Sequence, residues 1–177
     1  MAKLAKVGYG QIEPNQVTFT RDGRVEGQLP FYNADPDVKC ENGMLLAVDY
    51  AAGNVSFPVA SDTRLIGVNY TSEELYDART PGLKNFYIGA EGYDVNPRIG
   101  FLTVGEKYTT NAVELGTYTV DTLKTAVAAG TAVYGGASTN GYTALADTKP
   151  AFGPVLKVIK VTDLPDGQTA VKFIVVA

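Results

Sequence analysis

The stretch Gly43–Val68 reads GMLLAVDYAAGNVSFPVASDTRLIGV. Met44–Val48 is a compact apolar strand candidate, and Asp49–Asn54 is a turn. Val55, Phe57 and Val59 alternate with smaller residues, the period of a half-buried strand. Pro58 cannot donate to a ladder, which assigns that strand to an edge. Leu65–Val68 is a third strand, in which Gly67 marks a bulge or a close backbone approach. A similar stretch, Gly130–Val155, reads GTAVYGGASTNGYTALADTKPAFGPV. Gly43 aligns with Gly130, Leu46 with Val133, Gly53-Asn54 with Asn140-Gly141, Asp62-Thr63 with Asp147-Thr148, and Gly67 with Gly153. Internal duplication and chance similarity between short Gly/Ala/Thr-rich β segments both account for the match. Each stretch reads as a small β unit.

The rest of the composition agrees with β structure. Nineteen glycines and eleven tyrosines in 177 residues point to strands joined by tight turns. That length allows one large domain or two small ones, with a core that needs no staples. The absence of histidine narrows the chemistry. It removes the commonest general acid–base and excludes Ser-His-Asp and Cys-His sites. The single Cys40 cannot form an intramolecular disulfide or a structural zinc site, and it reads as a buried small residue.

The net charge is −4, which argues against sequence-independent binding of nucleic acid. Its distribution is uneven. Residues 1–24 hold Lys3, Lys6, Arg21 and Arg24 against Glu13 and Asp22, a balance of +2 that leaves −6 for the remainder. A basic arm on an acidic body suits docking to an acidic surface, and an ordinary solvated terminus fits the same letters. No apolar run approaches the length of a membrane span. The start MAKLAKVGYGQ turns polar too soon for a secretory signal, so the chain is expected to fold in a reducing cytoplasm.

Outside the two β units the signals are local. Residues 1–35 carry few large apolar groups and read as an extended arm, ordered by the body or by a partner. Within it Val17–Thr20 is a strand candidate, and Leu29–Tyr32 is extended because a residue before proline avoids the helical region. Thr71 and Glu74 make a capping-box pattern for a short helix ending before Pro81. Phe86–Ile88 and Ile99–Val104 are strand candidates, separated by a loop containing Tyr93. Tyr87 and Tyr93 read equally as contact groups and as caps of the core. Thr117–Val120 is a strand candidate, and Asp121 caps a helix over Thr122–Ala129 that stops at Gly130. Val155–Val161 and Val171–Val176 form a hairpin across Asp166-Gly167, which closes the sheet.

The search for chemistry returns little. No phosphate loop or zinc-protease motif is present, and Gly8-Tyr9-Gly10 is followed by no helix pattern. Asp35 with Asp37, and Asp163 with Asp166, are better explained as turns than as paired catalytic carboxylates or calcium ligands. The expectation is a non-enzyme without cofactor or metal.

Asn42-Gly43-Met44-Leu45-Leu46-Ala47-Val48-Asp49, closing at Gly67-Val68, resembles the decoration (cement) proteins of tailed-phage heads. Ala129-Gly130-Thr131-Ala132-Val133-Tyr134 is similar to a second step of that family. The resemblance covers about half of the chain, which is longer than the simplest single-barrel members. It implies a β-rich protein on the exterior of a virion capsid, made in the host cytoplasm. It also implies the major capsid protein as partner, a homotrimer, and capsid contacts at Lys3, Lys6 and Tyr9. Tyr93 joins them from the loop reading.

The expected fold is therefore mostly β, with small barrel or sandwich units, short helices and an extended N-terminal arm. The expected organisation is an arm over 1–35, a first β unit with a connecting segment over 36–104, and a second β unit over 105–177. The expected function is adhesive capsid decoration, with neither nucleic acid nor membrane as partner. A carbohydrate- or surface-binding module, stacking ligands on tyrosine loops at 87–93 and 134–142, is the alternative. A hydrolase built on paired carboxylates is a weaker third.

Overall fold

A computed structural model describes residues 1–5, 10–13, 17–35, 38, 40–71 and 96–177. The expected helix after Thr71, the strand at Phe86–Ile88, and Lys6, Tyr9, Tyr87 and Tyr93 lie outside the described residues. The described chain is mostly β, with 36% of the described residues in strands or bridges against 6% in helix, arranged as two sheets that do not close into a barrel.

The first sheet contains β1 (Val25–Glu26), β2 (Leu45–Asp49), β3 (Asn54–Ser56), β4 (Leu65–Asn69) and β5 (Ile99–Phe101), in the order β1-β5-β4-β2-β3. The second contains β6 (Lys107–Thr110), β7 (Val113–Glu114), β8 (Tyr134–Ala137), β9 (Thr143–Ala146), β10 (Leu156–Asp163) and β11 (Thr169–Val175). Its order is β6-β11-β10-β8-β9-β7. Every pairing is antiparallel except that of β7 with β9.

Apart from β7, the two sheets have the same connectivity. Numbered along the chain within each sheet, the strands lie in the order first, fifth, fourth, second, third. The agreement extends to single pairs. Val25 with Gly100, Gly100 with Val68, Ala47 with Ile66, and Val48 with Val55 build the first sheet. Tyr108 with Phe173, Phe173 with Val158, Gly135 with Leu156, and Gly136 with Ala144 take the same places in the second. The sequence alignment of the two stretches is out of step with this framework. Ala47 corresponds to Gly135, so Leu46 corresponds to Tyr134 and not to Val133. A one-residue slip moves a strand's side chains to the opposite face, and Val133 faces the shared core whereas Leu46 faces away from it. Gly67 corresponds to Lys157, while Gly153 precedes β10 and lies against Ile66.

One hydrophobic cluster draws on both sheets. Leu45, Ala47, Ile66 and Val68 contribute from the first, and Tyr108, Leu156, Val158, Val171 and Phe173 from the second. The opposite face of the first sheet is also covered. Leu46, Val48, Val55 and Ile99 pack there with Cys40, Leu29 and Phe31. Cys40 is fully buried as expected, with Asn69 Nδ2 3.3 Å from its sulfur.

The described parts of the arm belong to this body. Residues 2–5 and 10–13 run antiparallel to 109–115, with Lys3 bridged to Glu114 and Ile12 to Thr110. The Leu4 amide donates to the Val113 carbonyl at 3.0 Å, and the Glu13 amide to that of Thr109 at 2.8 Å. These contacts cover the outer strands of the second sheet, which would otherwise present unpaired backbone. Val17–Thr20 is not a strand; it enters a turn, and Phe19 from it is fully buried in the shared core.

Two local expectations change. Thr117–Val120 forms no strand, because the chain enters α1 (Val120–Ala128) there. The N-cap is Thr119, not Asp121. The Thr122 amide donates to Thr119 Oγ1 at 3.2 Å, and the Thr119 amide donates to Thr122 Oγ1 at 2.8 Å. This reciprocal box satisfies two orphan donors, and it leaves Asp121 in the first turn, where its charge complements the helix dipole. The C-terminal hairpin forms, but β11 lies between β10 and β6 and is therefore internal.

Candidate interaction surface

β3 ends at Ser56, two residues before Pro58, and is the outermost named strand of its sheet, the edge position that Pro58 requires. Pro30–Tyr32 lies along its free side. The Val55 amide donates to the Pro30 carbonyl at 2.9 Å, and the Tyr32 amide donates to the Val55 carbonyl at 2.8 Å. Phe31 meets Phe57 edge-to-face, with ring centroids 5.1 Å apart.

The loop after β3 is held by one carboxylate. Asp62 accepts from the Val59 amide at 3.0 Å and from the Arg64 amide at 2.9 Å. It also takes two bonds from the Arg64 guanidinium, at 2.9 and 2.6 Å. The third guanidinium nitrogen reaches Ser56 Oγ at 3.0 Å. The arginine bonds hold the Asp62 carboxyl down at about 2, against the desolvation of its burial.

Between this loop and the β8–β9 turn lies an open cleft of ≈ 390 Å³, lined by Tyr32, Asn33, Phe57, Val59, Arg64 and Thr139 among others. Tyr32 is 59% exposed and Val59 is 56% exposed. The two-point pairing with Asp62 neutralises Arg64, the charged side chain among the described lining residues. The cleft therefore suits an apolar or neutral polar partner, with hydrogen bonds supplied by Asn33 and Thr139. Its described lining residues include no nucleophile–base pair.

Of the four partner contacts named from sequence, Lys3, Lys6, Tyr9 and Tyr93, only Lys3 lies among the described residues. Its Nζ is 3.8 Å from the centroid of the Tyr142 ring and 4.0 Å from Glu114 Oε1. Asn140 Nδ2 donates to the same Glu114 oxygen at 2.7 Å. Lys3 thus clamps the arm to the body. Tyr142 lies beneath it, 4% exposed, and offers no stacking platform. Burial, with Glu41 and Glu114 nearby, raises its phenol to about 12. Tyr134, the other tyrosine of that loop reading, is partly exposed with Lys149 Nζ 6.0 Å from its ring.

Sequence reasoning did not single out Tyr32, Val59 or Arg64 as a site. Two prolines, Pro30 and Pro58, flank the residues involved and were the available signal. Comparison with family models, with curated proteins and with solved structures finds no match.

Proposed function

We propose that the chain is a structural virion protein that decorates and stabilises a phage capsid by adhesive contacts, acting without catalysis or a cofactor. The observation that carries this reading is the open cleft, where Tyr32 and Val59 are more than half exposed on a frame fixed by Asp62 and Arg64. Large apolar groups on rigid backbone lose little entropy when a partner covers them. The partner in this reading is the major capsid protein, bound on the capsid exterior by a homo-oligomer, a trimer. Many such contacts around a symmetric shell add up through multivalency. The described arm residues already hydrogen-bond to the chain's own second sheet, so the cleft and not strand addition by those residues supplies the adhesion. Lys6, Tyr9 and Tyr93 stay candidates for the same surface.

A carbohydrate-binding module is the second reading, favoured by the exposed Tyr32 ring beside the Asn33 amide and Thr139 hydroxyl. Capsid co-sedimentation and a glycan array, each run with wild type and with Tyr32→Ala/Val59→Ser, separate the two. Capsid binding lost in the variant supports decoration. Glycan binding lost in the variant, without capsid binding, selects the module. Failure to bind either overturns both.

A further inference from the structure

The repeated framework exposes a difference between the sheets. Val158, Val171 and Phe173 face the shared core, so the alternate residues of β10 and β11 face outward. On the first sheet the outward positions hold Leu46, Ile99 and Phe101, which pack with Leu29 and Phe31. At the corresponding outward positions the second sheet holds Tyr134, Lys172 and Ile174, all partly exposed.

Cross-strand pairing extends that row. Lys107 pairs with Ile174, Ile174 with Lys157, and Lys157 with Tyr134. Beside it Lys160 pairs directly with Lys172. The register shift between Val158 and Lys160 accompanies an Ile159 that is 36% exposed. Lys149 stands by Tyr134. Like charges directly opposite on a sheet disfavour folding, so the Lys160–Lys172 pairing carries a local cost. Among the described residues the salt bridges involve Lys3, Arg21, Arg24 and Arg64, and none involves Lys107, Lys149, Lys157, Lys160 or Lys172.

We infer that this outer face of the second sheet docks an acidic protein surface. The partner's carboxylates would meet the lysines, and its apolar centre would cover Ile159, Ile174 and Tyr134. Two features favour protein over a polyphosphate. The face carries lysine without the arginine that reads phosphate in two-point geometry. Its positive groups alternate with apolar ones along the row Lys107, Ile174, Lys157 and Tyr134. The inference does not depend on the cleft and does not require the partner to be a capsid.

The experiment titrates the full chain at low salt with poly-L-glutamate, single-stranded oligothymidylate and phosphatidylserine vesicles, matched in charge concentration. Poly-L-glutamate is expected to bind most tightly. Lys157→Glu/Lys172→Glu should weaken it about tenfold or more, with the remaining affinity lost at high salt. Lys124→Glu, on the exposed side of α1, should leave it unchanged. Lys107→Glu/Lys160→Glu replaces the first pair if circular dichroism shows that pair misfolded. Tighter binding of DNA or vesicles overturns the inference. So does salt-sensitive self-association without glutamate binding, or a double variant that binds like wild type. Tyr32→Ala/Val59→Ser should bind poly-L-glutamate normally, which keeps failure of this face distinct from failure of the cleft.

Discussion

Glu106 accepts a hydrogen bond from the Phe19 amide at 3.0 Å, 87 residues away in the chain. The same carboxylate takes the Thr18 amide at 3.0 Å, the Thr18 hydroxyl at 2.7 Å and Arg24 Nη1 at 3.3 Å. It is 6% exposed, and it fixes the segment that places Phe19 in the core shared by both sheets. Glu106→Ala would leave these donors without their charged acceptor and should cost about 2–4 kcal/mol. Urea unfolding followed by far-UV circular dichroism measures it, since the chain has no tryptophan. A loss below about 0.5 kcal/mol, the usual size of a neutral surface change, would show that the network does not hold the fold.

Acid should unfold the protein in a defined window. Burial raises the Glu106 carboxyl, but bonds from Thr18, Thr103 and Arg24 outweigh it and leave the group below its ordinary value. Asp62 is held at about 2 by Arg64. Depressed carboxylates stabilise the fold fully above the unfolded-state value near ~4, and that contribution disappears as pH falls through the folded value. The urea midpoint should be flat from pH 7 to about 5 and fall steeply from about 4 to 2. Asp62→Asn should flatten part of that slope. A variant with the wild-type slope would remove Asp62 from the account.

Gly100 sits against the ring of Phe19. A Cβ there would come within 2.3 Å of the Phe19 ring. Gly100→Ala should therefore overpack the core and cost about 1–3 kcal/mol. Gly53 has φ +68 with open space around its Cβ position. Gly53→Ala should cost only the left-handed backbone strain, about 1–2 kcal/mol. Thermal melts of the two variants compare crowding with strain. A Gly100→Ala protein as stable as wild type would mean that Phe19 moves aside freely.

Cys40 should be inert in the folded protein. Burial first, and the Glu41 charge second, push its thiol well above the ordinary range. A thiol reagent should label it only at the rate of unfolding, with labelling accelerated by urea. Rapid labelling in buffer would show local opening of the layer formed by Cys40, Leu46 and Val55.

Much of the first β unit was legible because its pairings are local. β2 and β3 form a hairpin across four residues, and Pro58 identified the edge. Gly67 makes a close approach to the Gly100 carbonyl inside a regular ladder, so of the two readings offered the second holds. β6 and β7 were missed, because Lys107–Thr110 and Val113–Glu114 are short and gain their partners from the arm, from β9 and from the C-terminus. Tyr32 was read only as extended chain. Its exposure beside Arg64 and Thr139 arises from three segments converging, and no local pattern encodes that.

Alternation, turn residues and the lack of histidine by themselves determined a mostly β chain without a histidine-based active site. Those properties depend on nearest neighbours and on composition. Whether the two similar stretches are equivalent was a tertiary question, because only hydrogen-bonded register assigns a residue to a face. That register places Ala47 opposite Ile66 and Gly135 opposite Leu156, and so corrects an alignment that letters alone put one residue out of step at Leu46 and four at Gly67. It also gathers lysines far apart in the chain onto one outer face, since cross-strand pairing, not sequence distance, decides which charges become neighbours.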